Sequence, residues 1–257
     1  MRKTNIIEKN GVQLRNPVLI EGFPGLGTVG KIVIQYLRRQ MKAEKLADLY
    51  SPHFAYYVLV SKRGSVRLLR NEFYFWKNEN GENDLILLTG DTQAQTVEGQ
   101  YEVASSILDY AEKNGVKLIV TIGGYRTEAK DKPQVVAVST NPEVLKMALE
   151  AGAVSSPPGN PIVGLAGLLL GLSRLRNMDA LCLLGETPGY IPDPKAAKSV
   201  LDVVAKLLKV EVGLAGLEKE IDKSELMIKR MREIEERSEV AAQKMRKEEE
   251  ERVTYIS

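Results

Sequence analysis

The residue types best suited to chemistry fall in one stretch near the start of the chain, Glu21-Gly22-Phe23-Pro24-Gly25-Leu26-Gly27-Thr28-Val29-Gly30-Lys31. Gly25-x-Gly27-x-x-Gly30 spells a dinucleotide-binding turn. In such a turn main-chain N–H groups and a helix N-terminus face a pyrophosphate. An acidic residue to meet a ribose hydroxyl stands at about the right distance, at Glu44 or Asp48. The same letters nearly spell a phosphate loop, but Ile32 occupies the position where Ser or Thr would hold magnesium. The alternative is a packing turn, in which glycines let the backbone bend sharply and bring a helix close to a sheet. Short glycine motifs recur by chance, so spelling alone favours the packing turn.

Other reactive groups are scarce. His53 is the one histidine, which excludes a metal site built on several histidines of one chain. A Ser-His-Asp triad would have to use it. In Ser51-Pro52-His53-Phe54 it reads instead as a satisfied or exposed side chain in a turn. Cys182, the one cysteine, lies in Leu181-Cys182-Leu183-Leu184 and reads as an inert strand residue; no intrachain disulfide is available to it. Asp91 after an apolar run has the chemistry for a magnesium ligand. With the second ligand missing from the glycine loop, Asp91 or Thr92 reads better as a helix cap. Glu186 and Tyr190, in a proline-rich connection, are open between the two kinds of role.

The elements that would position these groups alternate. An apolar strand, Pro17 to Ile20, enters the glycine loop, and a helix from about Gly27 to Lys42 leaves it. Ala55–Val60 and Val66–Leu69, separated by Ser61-Lys62-Arg63-Gly64, read as a hairpin, followed by a strand at Asn71–Trp76. Asp84–Leu88 is continuously apolar, as a strand covered on both faces should be. A helix is expected from about Thr92 to Asn114, with Gly115 at C′. Lys117–Ile122, Gln134–Val138 and Asp179–Leu184 read as further strands. Helices are expected from Asn141-Pro142 to about Ala151, from Ile162 to Arg176 and from Pro194 to Lys209. Such alternation predicts an α/β fold with a mainly parallel sheet covered on both faces. Four of the apolar strands run into glycine, at Gly22, Gly90, Gly123 and Gly185. Strand C-terminal ends are where open α/β sheets place their crevices. The candidate crevice therefore gathers Gly25, Gly27, Gly30, Asp91, Tyr125 and Glu186.

Bulk properties narrow the classes. With 257 residues, 44% of them hydrophobic, the chain suits one α/β domain of roughly 210 residues plus an appendage. A net charge of +2, with no basic cluster interleaved with aromatics, leaves no nucleic-acid footprint. Pro161–Leu172 is too short and glycine-rich to span a membrane. Met1-Arg2-Lys3-Thr4-Asn5 leads into no apolar h-region, so no membrane partner and a cytoplasmic location are expected.

From Leu217 to Arg252 the composition changes: 22 of 36 residues are charged and none is glycine or proline. Leu217, Ile221, Ile228 and Met231 recur at heptad spacing, with Ser224, Glu235 and Ser238 at other seam positions. A long helical arm with an imperfect coiled-coil seam is expected, an arm that self-associates or reaches a partner. The chain ends Val253-Thr254-Tyr255-Ile256-Ser257, an apolar, aromatic tip fit for capture in a receptor groove. The expected divisions are 1–212 for the body, 213–252 for the arm and 253–257 for the tip. One tip would bind weakly, while several tips on one oligomer would gain on the order of 10²–10⁴ in avidity.

Several blocks together resemble the archaeal proteasome-assembly-chaperone family. They are Glu21–Gly30, Thr121-Ile122-Gly123-Gly124-Tyr125, Gly159–Leu170 and Leu184–Tyr190, within roughly Asn16 to Lys209. The resemblance implies a three-layer α/β/α body like that of purine-nucleoside-phosphorylase-type folds, without phosphorylase catalysis and with no cofactor. It implies homo-oligomers, tetramer or pentamer, that bind the α subunits of the proteasome core particle as an assembly chaperone or ATP-independent activator. Activator tips of this kind end in hydrophobic–Tyr–any residue. Here Tyr255 is third from the end and Ile256 stands where tyrosine belongs, which puts chaperone or adaptor ahead of activator. A nucleotide- or nucleoside-binding enzyme using the Gly25–Gly30 loop is the alternative. A third reading pairs the arm with a paralogous subunit.

Overall fold

The computed structural model describes residues 1–213 other than 10, 82, 129 and 130, and beyond them residues 216–218 and 221. The strands are β1 (Asn5–Glu8), β2 (Val18–Gly22), β3 (Glu44–Tyr50), β4 (Val58–Val60), β5 (Val66–Leu68), β6 (Asn71–Trp76), β7 (Leu85–Gly90), β8 (Leu118–Arg126), β9 (Val135–Ser139), β10 (Val154–Ser155) and β11 (Asp179–Thr187). The helices are α1 (Val29–Gln40), α2 (Val97–Lys113), α3 (Pro142–Glu150), α4 (Leu165–Leu175) and α5 (Pro194–Leu208).

Nine strands form one sheet in the order β1-β3-β6-β7-β2-β8-β11-β9-β10. Its centre, β7-β2-β8-β11, is parallel throughout. These are the strands with continuous apolar runs, and every residue of β2 and β7 is buried. On one side β6, β3 and β1 continue antiparallel, and on the other β9 runs antiparallel to β11. The remaining pair, β4 and β5, makes the separate hairpin ribbon that the turn at Ser61–Gly64 predicts.

Alternation along the central strands divides the core between two helical layers. Leu19, Ile86, Leu88, Ile119, Cys182 and Leu184 join α2 (Val103, Ile107, Leu108) and α4 (Leu165, Leu169). The opposite face takes α1 and α5. Their buried stripes, Val29, Val33, Ile34 and Leu37 on α1 and Ala197, Val200, Leu201 and Val204 on α5, recur at helical spacing. The result is the three-layer α/β/α body expected. Truncating one of the fully buried strand leucines, such as Leu87, would cost roughly 2–5 kcal/mol.

Local signals place the helix ends. Asn141 Oδ1 accepts from Glu143 N and Asp193 Oδ1 from Ala196 N, each before a proline at the first helical turn. Gly115 follows α2 at φ +74°, the left-handed C′ position. The second helix differs from expectation at its start. It begins at Val97, not near Thr92, because Thr96 Oγ1 is the cap, accepting from Gly99 N at 3.1 Å. The cap expected of Asp91 or Thr92 is thereby corrected. The strand at Glu44–Tyr50 was not anticipated: its charged residues Glu44, Lys45 and Asp48 hide the alternation. β8 and β11 also run past Gly123 and Gly185, to Arg126 and Thr187.

The chain divides into two compact units, Met1–Leu214 and Ala215–Ser257. In the second, residues 216–218 and 221 are helical, with Leu217 buried and Ile221 half-buried. Ile228, Met231 and the tip residues Val253, Thr254, Tyr255, Ile256 and Ser257 lie outside the described residues.

Candidate functional site

The glycine loop closes onto the sheet backbone to backbone. A Cβ on Gly22 would run into Gly30 O, and one on Gly30 into Ile122 O, so β2, α1 and β8 meet only because both positions lack side chains. Gly27 sits at φ +57°, where a Cβ would lie 2.6 Å from Thr187 Oγ1. A Cβ on Gly124 would lie 2.5 Å from Leu26 O. Gly25 differs: it is extended, and nothing lies within 4 Å of its Cβ position.

The segment from Thr187 to Asp193 covers the outer side of the loop. Gly27 N donates to Gly189 O at 3.3 Å, and Asp193 N donates to Gly27 O at 2.8 Å. Thr187 Oγ1 donates to Asp193 Oδ2 at 2.8 Å and accepts from Gly189 N at 3.1 Å. Asp193 also caps α5. The space beside Gly27 that a phosphate would enter is thus occupied by Thr187 and Asp193 of the same chain, and the packing turn is the reading the geometry matches.

The six crevice residues fall on two faces of the sheet. Gly124 and Gly185 point to the α1 side, against Leu26 and Val29. Their strand neighbours Tyr125 and Glu186, register partners of one another, point to the α4 side with the loop behind them. Tyr125 OH accepts from Asn160 Nδ2 at 3.0 Å. Glu186 Oε2 accepts from Gln134 N at 2.9 Å, which fastens β11 to the start of β9. Asp91 follows β7, three strand spacings from β11, or about 14 Å. Arg67 Nη1 and Nη2 donate to its Oδ2 and Oδ1 at 2.5 and 3.0 Å, and Arg70 N donates to Oδ2 at 3.0 Å. Burial pushes the Asp91 carboxyl up, but these donors and the nearby cations outweigh it and hold it below the usual range.

Three groups that sequence reasoning did not single out organise the site. Gln93 Nε2 donates to Pro24 O at 2.9 Å, and its Oε1 accepts from Leu165 N at 3.0 Å. One side chain thus links the glycine loop to the first turn of α4, which has no side-chain cap of its own. No local pattern announces it, since its partners are 69 and 72 residues away. Arg67 had no visible partner in sequence. Glu21 did carry a signal: it is the one charge inside the apolar run Val18–Gly22.

Glu21 is fully buried on β2, and among the described residues its Oε2 has no hydrogen-bond partner. Burial pushes its carboxyl up to about 8, against the pull of a main-chain hydrogen bond from Ile122. At neutral pH it is mostly protonated. The strand register sets Glu21 beside Thr121 and Thr121 beside Cys182, a polar strip across the centre of the sheet. The Cys182 thiol, buried beside it, is pushed up to about 12, so it is inert as expected. His53 is also satisfied: its ring stands 3.3 Å from Glu102 Oε2 and 3.3 Å from Thr96 Oγ1. Among the described residues no group of three or more His, Cys, Asp or Glu is placed to hold a metal. No described helix is long and apolar enough to cross a membrane.

Comparison with known proteins gives concordant matches. Residues 19–232 match the PAC2 family model. An uncharacterised protein of Methanocaldococcus jannaschii, MJ1210, is 35% identical over 231 residues, covering 90% of this chain and 88% of that one. The crystal structure of Pyrococcus furiosus PbaB, described as an archaeal proteasome activator, superposes with a TM-score of 0.87 at 39% identity. The alignment covers 90% of this chain and 100% of PbaB. Pyrococcus furiosus PbaA, described as an archaeal homolog of proteasome-assembly chaperone, gives a TM-score of 0.74 at 27% identity, covering 96% of this chain and 98% of PbaA.

Proposed function

Because this chain belongs to the PAC2 family, we propose that it is a homo-oligomeric protein that binds the core particle of an archaeal proteasome, as an assembly chaperone or an ATP-independent activator or adaptor. The observation that carries this is the likeness over nearly the whole chain to PbaB, an archaeal proteasome activator. The packing of the glycine loop supports a binding role over a catalytic one, since Gly22, Gly27 and Gly30 are taken up by contacts within the body.

In this reading the body is a scaffold. The arm associates through Leu217, Ile221, Ile228 and Met231 and presents several tips at once. Each tip, Val253 to Ser257, docks on the α subunits, with Tyr255 and Ile256 supplying the apolar contact. Burying one such side chain contributes roughly 1.5–3 kcal/mol. Useful affinity therefore comes from several tips acting together.

The test is binding of the full chain, and of a form ending at Arg252, to purified archaeal core particles and to free α rings. Loss of binding on truncation supports docking by the tip. Equal binding by both forms moves the interface to the body. No binding by either form overturns the proposal. Peptide hydrolysis by the core particle then separates activator from chaperone.

A further inference from the structure

The nine-stranded sheet ends at β1, whose Asn5–Glu8 pair with Tyr50–Ala47 of β3. Lys9 N donates to Leu46 O at 2.8 Å, which fixes the antiparallel alternation. Main-chain groups of Asn5, Ile7 and Lys9 face β3, and those of Ile6 and Glu8 face away from the sheet. Thr4 N, which also faces away, is taken by Glu102 Oε1 at 2.5 Å. Among the described residues no strand pairs with this side of β1, and such an edge is a template for another strand.

Beside this edge stands the β4–β5 ribbon. Its inner face puts Leu59 on the core and Arg67 on Asp91. Its outer face pairs Val58 with Leu68 and Val60 with Val66. These four apolar side chains are 46%, 55%, 69% and 66% exposed in that order. A groove of about 460 Å³ separates β5 from β1, with Ile7, Tyr50, Val66 and Leu68 among its walls. The inner face is already used by the core and by the Arg67–Asp91 pair, so it is the apolar outer face that is left without a cover among the described residues. Two strands left alone are also marginal in water.

We propose that a second copy of this chain docks here, with β1 pairing antiparallel to β1 of the second copy about a two-fold axis at Ile7. Few registers are open to this pairing. Pairing Ile6 with Ile6 would need Thr4 opposite Glu8, and the Thr4 N–H is already committed to Glu102. Pairing Glu8 with Glu8 opposes like charges. Pairing Ile6 with Glu8, and Glu8 with Ile6, uses every outward main-chain group of β1 and opposes no like charges. It also places Ile7 opposite Ile7 as a non-hydrogen-bonded pair, in which side chains approach most closely. Ile7 lines the same groove as Val66 and Leu68, so both ribbons close over the axis.

The area fits. Ile7, at 43% exposure, and the four ribbon side chains present on the order of 450 Å² of apolar surface. That is close to the ~60% apolar share of the roughly 800 Å² that each partner gives to a stable interface. The contact is isologous, the same patch on both copies, and it rests on neither the arm nor proteasome binding.

The test is a cysteine at the axis of the full-length chain. Ile7→Cys under mild oxidation is expected to give a disulfide-linked dimer, while the unmodified chain, with Cys182 buried, gives none. Glu150→Cys, exposed at the end of α3 near the opposite edge, reports random collision. In parallel, Leu68→Glu is expected to raise the dissociation constant in sedimentation velocity at least tenfold, while the melting temperature at concentrations where both proteins are monomeric stays unchanged, because Leu68 is exposed in the single chain. Failure of Ile7→Cys to cross-link above the Glu150→Cys control overturns the proposal, as does unchanged association of Leu68→Glu. An assembly held only by the arm gives both of those results.

Discussion

Arg67 grips Asp91 through both terminal guanidinium nitrogens, and through that pair the β4–β5 ribbon is tied to the end of a central strand. The ribbon's pairing is separate from the main sheet, so this ion pair and the contact of Leu59 with the core are its named attachments. Asp91→Asn keeps the shape and removes the charge. Amide exchange in residues 58–68 is expected to speed up several-fold, while exchange in β2 and β7 stays unchanged. Equal protection of the ribbon in the variant would show that its other contacts suffice.

The two ends of the glycine motif are expected to behave oppositely. A Cβ at Gly30 lands on Ile122 O, a backbone atom that cannot move aside, so Gly30→Ala should cost about 3 kcal/mol or more in denaturant unfolding. Gly25→Ala, extended and in open space, should stay within about 0.5 kcal/mol. A nucleotide cradle would need both.

Ligand binding at the same loop is checked by thermal shift. Millimolar ATP, NAD or AMP is expected to leave the melting temperature within about 1 °C, since a ligand bound to the native state stabilises it by RT ln(1 + [L]/Kd). A concentration-dependent rise would show that Thr187 and Asp193 can be displaced.

Glu21 makes a pH prediction with a definite sign. Its carboxyl is raised from 4.5 to about 8 in the folded chain, so between those values the native state holds a proton that the unfolded state has lost. Stability from this group is complete below about 4.5 and declines as pH rises through about 8, by on the order of 5 kcal/mol in all. Urea unfolding from pH 5 to 9 should show that decline, and Glu21→Gln should flatten it. A wild-type profile as flat as the variant's would mean that the carboxyl has a partner.

Much of the fold is legible along the chain because it is written in local patterns. The apolar runs at Val18–Gly22 and Leu85–Gly90 announce doubly covered strands. Asn141-Pro142 and Asp193-Pro194 announce helix starts, and Ser61–Gly64 announces the hairpin. Charge hid β3, and a competing side chain moved the start of α2 to Thr96.

What the sequence by itself determined is the periodicity and punctuation of each element, and with them the α/β class. The blocks from Glu21 to Tyr190 also point by resemblance to the family that the comparisons then show. Only the tertiary structure decided which groups meet. Glu21 and Thr121 are neighbours because β2 and β8 pair in one register and not in the next. Tyr125 and Glu186 turn away from the glycine loop because side chains alternate faces along a strand, and a shift of one residue would have turned them towards it. Asp91 found Arg67 because the hairpin folds back over the end of β7. Contacts between residues tens of positions apart depend on strand order and register, which no local stretch encodes.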